Sequence, residues 1–155
     1  MTLNQIKKLQ NITNILNTFL EPFDCEATAS TDFAYYTASN TISYAFVVSD
    51  EHADSFLKFT HRLFPNINAN LFLWSFLHEL GHHETEDDFE DEEWEEYREK
   101  APKCSSDEEY YNLPIEYAAT YWAGQYMTKH YNEIKKLWDD LIPAIKNFYH
   151  EMEVE

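Results

Sequence analysis

Apolar residues at the start of the chain recur at three- and four-residue intervals: Leu3, Ile6, Leu9, Ile12, Ile15, Leu16, Phe19 and Leu20. This period predicts an amphipathic helix, opened by the capping-box spacing of Thr2 and Gln5 and stopped before Pro22. The pattern then changes to aromatic and β-branched side chains over residues 23–29 and 33–48. Ile42, Tyr44, Phe46 and Val48 alternate there with Ser43, Ala45 and Val47, which predicts two or three antiparallel strands turning near residues 39–40. A second helix is expected from about residue 50 to 64, capped by Ser49 or Asp50. Its inward face would hold Phe56, Leu57, Thr60, Leu63 and Phe64, with Pro65 beyond its end.

The third predicted helix, from about residue 70 to 83, differs from the others. Leu71, Phe72, Leu73, Trp74, Phe76, Leu77 and Leu80 cover nearly its whole circumference, as in a helix buried at the centre of a domain. Between Glu84 and Glu99 eleven acidic residues stand against the single Arg98, so this stretch reads as a solvated helix or loop. Pro114 then suits a first helical turn, and Ile115, Ala118, Ala119, Trp122 and Tyr126 form a stripe reaching about residue 128. A last helix, about residues 131–152, would bury Ile134, Leu137, Trp138, Leu141, Ile145 and Phe148, with Pro143 kinking or dividing it. The fold class expected is α+β, mostly helical, with a small antiparallel sheet beside the third helix. Residues 1–155 read as a single domain.

Composition narrows the function classes. Eleven Lys and Arg face 29 Asp and Glu, a net charge of −18 that repels phosphate backbones and anionic membranes, so neither nucleic acid nor membrane is an expected partner. Cys25 and Cys104 are far apart and have no CxxC neighbour, which argues against a disulfide framework or a cysteine-rich zinc site. With no signal-peptide pattern and no apolar run of spanning length, a cytoplasmic location is the expectation.

The polar residues of the third helix carry the candidate chemistry. His78 and His82 are four apart, so they project from one helix face and can present two imidazoles to one metal ion. Glu79 lies about 100° round the helix, where a carboxylate reaches metal-activated water rather than the metal. Gly81, at a propensity cost of about 1 kcal/mol, suggests that another backbone or a substrate comes close. The string His78-Glu-Leu-Gly-His82 arises by chance often enough that context must decide. Ordinary core histidines would need other buried partners in so apolar a segment, whereas a cation satisfies all three side chains. A catalytic zinc site wants a third protein ligand and an open position. Glu116, at the margin of its apolar stripe among Ala119, Ala123 and Met127, is the candidate; His130 and His61 are weaker ones. His83 reads as an exposed helix-end residue and His52 and His150 as surface residues. Tyr117 and Tyr121 are candidate oxyanion donors.

Taken together, His78-Glu-Leu-Gly-His82 and Glu116-x-x-Ala-x-x-Trp-Ala123 resemble the ImmA/IrrE-type metallopeptidases, a gluzincin-like family of bacteria, mobile elements and phages. The resemblance covers roughly residues 70–127. It implies a zincin-like fold, zinc held by His78, His82 and Glu116, and Glu79 as general base. Several members of that family act on a repressor protein, but substrate choice does not carry over with the zinc chemistry; a regulatory DNA-binding protein is expected only as one basic substrate that the acidic stretch could guide. Where family members often carry Asn or Asp after the alanine, Thr120 stands here and offers only a hydroxyl. The acidic stretch between His82 and Glu116 has no short family counterpart.

The expected activity is therefore zinc-dependent hydrolysis of a peptide bond in a protein substrate. The strand near residues 41–48 would pair with an extended substrate, and the acidic stretch would either guide a basic partner or only keep the surface solvated. Two alternatives remain open. One is a non-catalytic acidic interaction protein, a decoy of a basic partner that retains a zinc site. The other is structural zinc, with His83, His61 or Cys104 as fourth ligand.

Overall fold

The structure, a computed structural model, describes residues 2–46 and 50–153. Helix α1 (Leu3–Leu20) opens on the expected capping box: Thr2 Oγ1 accepts from the Gln5 N–H at 3.2 Å and Gln5 Oε1 from the Thr2 N–H at 2.7 Å. Its buried line runs through Gln5, Ile12, Leu16 and Leu20, with Leu9 half-buried beside it. Leu3 and Ile6 stay exposed, because Ile6 lies about 100° round the helix from Gln5 and off that line. After a single 3-10 turn at Glu21–Phe23, strand β1 (Glu26–Ala29) begins, and Asn17 Oδ1 ties it back to α1 by accepting from the Ala27 N–H at 2.7 Å.

Strands β2 (Ala34–Tyr36) and β3 (Thr41–Tyr44) form an antiparallel hairpin, turning through Thr37–Ser39 and a left-handed Asn40, one of the few residue types that tolerates that conformation. The sheet as a whole is mixed, which corrects the antiparallel expectation. Its order is β1-β3-β2, and β1 runs parallel to β3, with Ala27 opposite Ile42. Alternation of side chains reports that a strand is half-buried; it carries no information on the direction of its neighbour. The order also corrects the role expected of residues 41–48. β3 is paired on both sides and has no edge to offer, whereas β2 is an edge strand. Ser49 and the strand-end residues Val47 and Val48 lie outside the described residues.

Helix α2 (Asp50–Leu63) precedes α3 (Leu71–Thr85), which is capped by Asn70 Oδ1 accepting from the Leu73 N–H at 3.0 Å. The acidic stretch holds a 3-10 turn at Glu86–Asp88 and helix α4 (Asp91–Lys100); the short α5 (Asp107–Tyr111) was not foreseen. Pro114 occupies the first turn of α6 (Pro114–Lys129), and α7 (Tyr131–Glu153) runs through Pro143 undivided. The side chain of His150 is outside the described set.

Buried side chains of α1, the sheet, α3, α6 and α7 form one hydrophobic cluster, with Leu16, Ile42, Phe76, Leu80 and Leu141 fully enclosed. Both glycines of the chain serve the packing of α6. A Cβ on Gly81 would lie 2.3 Å from the Ala119 carbonyl oxygen, and one on Gly124 2.1 Å from the Phe64 ring. The close approach suspected at Gly81 is thus that of the α6 backbone. Among the described residues, no helix is long and apolar enough to cross a membrane.

Candidate metal centre

The α3–α6 contact places three side chains on one point. His78 and His82, one turn apart on α3, direct their Nε2 atoms to Oε1 of Glu116, at 2.9 and 3.0 Å, and their rings stand edge to face with centroids 4.7 Å apart. The donor atoms all lie within 4.8 Å of one another, close enough to bind one metal ion. Glu116 is 2% exposed and His78 6%, so the charge of this carboxylate has to be compensated inside the protein.

Each member is held from behind. Thr120, one turn after Glu116, donates its hydroxyl proton to the Glu116 carbonyl oxygen at 3.3 Å, and its Oγ1 is 2.9 Å from His78 Nδ1. Thr120 thus bridges the Glu116 main chain and the His78 ring and holds the imidazole with Nε2 towards the carboxylate. Two imidazole nitrogens meeting one buried carboxylate oxygen at 2.9 and 3.0 Å is a convergence that imidazole protons or a bound cation compensates. The donor set therefore fits a metal ion. The other carboxylate oxygen, Oε2, accepts from two tyrosine hydroxyls, Tyr110 at 3.0 Å and Tyr97 closer still. Phe56 closes the far side of His78, ring edge to face at 5.4 Å.

The electrostatics follow from burial and pairing. Burial would raise the Glu116 carboxyl, but the hydrogen bonds and charge of the two imidazoles outweigh it and hold the group well below the carboxylate range. For His82 burial acts downward, and the Glu116 carboxylate more than compensates, leaving it raised. Burial pushes Glu79 up, only partly offset by His78 and His82. Burial and the neighbouring Glu116 charge also raise Tyr97 and Tyr110, so both hydroxyls stay protonated donors.

Glu79 is half-buried beside the centre and lines two cavities. A cavity of about 390 Å³ lies between α2, α3 and α5, and another of about 280 Å³ between β2, His82, Trp94 and Tyr97. Phe33, Glu79, Tyr110 and Glu116 line both, so the two cavities flank the centre on either side of Glu79. Their size is that of small-ligand and side-chain pockets.

The remaining candidates go elsewhere. His130 caps the end of α6, half-buried and 3.3 Å from Glu133, and His61 is exposed on α2. His83 is partly buried, not exposed as expected, because the Tyr35 ring packs on it at 5.5 Å. Among the described residues neither His83, His61 nor Cys104 joins the cluster as a fourth ligand. Tyr117 and Tyr121 stack on each other at the surface, at neither cavity, which removes them as oxyanion donors. The tyrosines that do reach the centre, Tyr97 and Tyr110, were not singled out by the sequence. Each is one of eleven tyrosines, set in or beside an acidic stretch that reads as solvated surface.

The chain matches no protein-family model, no curated protein and no solved structure. Its chemistry has to be read from the residues themselves.

Proposed function

We propose that this chain is a zinc-dependent metallopeptidase that hydrolyses a peptide bond in a protein substrate, with zinc held by His78, His82 and Glu116. The observation carrying the reading is the convergence of His78, His82 and Glu116, whose ligand atoms lie within 4.8 Å of one another inside the protein, an arrangement that suits a bound cation. Two imidazoles and one carboxylate are the donor set of a catalytic rather than a structural zinc, and among the described residues no fourth protein ligand joins them. Zinc in such a set supplies Lewis acidity, polarising a carbonyl and lowering the pKa of water to about 7.

Glu79 is the general base in this reading. Burial raises its proton affinity, and it lines both cavities beside the centre. Its carboxylate takes the proton of the attacking water and returns it to the leaving amine nitrogen. β2 is the strand available for main-chain pairing with an extended substrate, because it forms the sheet edge and Ala34, Tyr35 and Thr37 border the smaller cavity. The net charge of −18 favours a basic substrate, for which a regulatory DNA-binding protein is a fitting class.

The test pairs metal analysis of the purified protein with a protease assay on basic protein substrates. Wild type is expected to hold one zinc per chain and to cleave. Glu79→Gln should keep the zinc and lose activity by roughly 10²–10⁴-fold. An unchanged turnover in Glu79→Gln would remove Glu79 as base. Zinc bound by a wild type that captures basic proteins uncleaved would favour the interaction-protein alternative.

A further inference from the structure

The two short helices α4 and α5 have no fully buried residue of their own. α4 is tied to the preceding turn by Trp94 Nε1, which donates to the Glu86 carbonyl at 3.3 Å. α5 is tied to α2 by two ion pairs at the surface, His52–Asp107 at 2.8 Å and Arg62–Glu108 at 2.6 Å, and by the half-buried Tyr111 ring, packed on Phe56 and Phe59 at 5.1 and 5.5 Å. The exposed pairs add little to this hold. To the buried carboxylate each helix delivers one tyrosine hydroxyl. Tyr97 from α4 and Tyr110 from α5 meet on the same atom, Oε2 of Glu116, and lie 3.1 Å from each other.

A carboxylate has two equivalent oxygens, and in a buried centre something must decide which one faces the imidazoles. Here the division is complete: Oε1 meets both histidines and Oε2 meets both tyrosines. We propose that Tyr97 and Tyr110 are positioning residues of the metal centre, fixing Glu116 as a one-oxygen ligand, and that metal binding and docking of residues 91–111 form one linked equilibrium. The inference rests on the reading of His78, His82 and Glu116 as a metal site. Outer partners of ligating carboxylates contribute strongly to metal affinity. Linkage then requires that whatever factor the docked tyrosines add to metal affinity, the metal adds to docking. Residues 91–111 thus become a clamp on the centre.

The full chain tests this without reference to proteolysis. Zinc dissociation constants are measured by competition with a chromophoric chelator for wild type, Tyr97→Phe, Tyr110→Phe, the double variant and Tyr117→Phe. Amide exchange of residues 91–111 is followed with and without zinc. The double variant is expected to bind zinc roughly 10–100-fold more weakly, each single variant less so, and Tyr117→Phe as wild type. Zinc should slow exchange over residues 91–111 in wild type and not in the double variant. Cobalt substitution adds a spectroscopic readout: the visible bands should differ between wild type and double variant, a change that a merely stabilising role of the phenols would not produce. Should the double variant not fold, the single variants carry the same comparison. Wild-type zinc affinity in the hydroxyl-free variants, or exchange indifferent to zinc in wild type, overturns the inference while leaving the metal site standing. A wild type that binds no zinc overturns both.

Discussion

His78 has two ring nitrogens, and the hydroxyl of Thr120 holds one of them, Nδ1, at 2.9 Å, so that the other, Nε2, faces Glu116. Thr120 is fully buried, and valine has nearly its shape, so Thr120→Val should keep the fold at a cost of about 1 kcal/mol for the lost hydrogen bonding. Without the hydroxyl the imidazole loses the partner that orients it, and zinc affinity should fall about 10-fold or more. Chelator competition measures this directly, and an unchanged dissociation constant would count against an orienting role of Thr120. The sequence showed that Thr120 could orient a ligand only through a hydroxyl. It did not show which ligand, because Thr120 and His78 are 42 positions apart.

At the scale of elements, the centre depends on how closely α3 and α6 pack. Gly81 permits the approach, since any Cβ there meets the Ala119 carbonyl at 2.3 Å, and Ala119 lies between Glu116 and Thr120 in the chain's order. Alanine is the better helix former by about 1 kcal/mol, yet overpacking at a rigid backbone costs about 1–3 kcal/mol, so the steric effect should prevail. Gly81→Ala is therefore expected to lower the melting temperature and, by pushing the helices apart, to weaken zinc binding. A variant more stable than wild type would mean that the helices can shift at little cost. Several element-level features were legible in the chain: the Thr2 and Gln5 cap, the start of α6 at Pro114, and the shared face of His78 and His82. Others were not. Parallel pairing of β1 with β3 is a relation between distant segments, and α5 is too short for a hydrophobic period to register.

For the whole molecule, a metal bound by the folded state alone adds to its stability. At a free zinc concentration 100 times the dissociation constant the gain is about 2.7 kcal/mol, which in a chain of this size raises the melting temperature by roughly 5–10 °C. Thermal melts with added zinc and with EDTA should differ by that order. Paired replacement of His78 and His82 by alanine should abolish the difference. A melt indifferent to both additions would speak against a folded-state metal site. The 29 acidic residues against 11 basic ones act at this scale too, through self-repulsion that favours opening of the acidic α4.

By itself the sequence determined the features governed by local periods. Helical spacing puts His78 and His82 on one face with Glu79 beside them, and the all-round apolar surface of their segment requires its burial. The residues that complete the centre belong to other segments: Glu116 and Thr120 on α6, Tyr97 on α4, Tyr110 on α5. Their convergence depends on which helix α3 buries itself against and how closely. That is a sum of burial, sterics and hydrogen bonding over the whole core, and no local pattern encodes it. Only the tertiary structure turned Tyr97 and Tyr110 from two tyrosines in an acidic region into partners of a buried carboxylate.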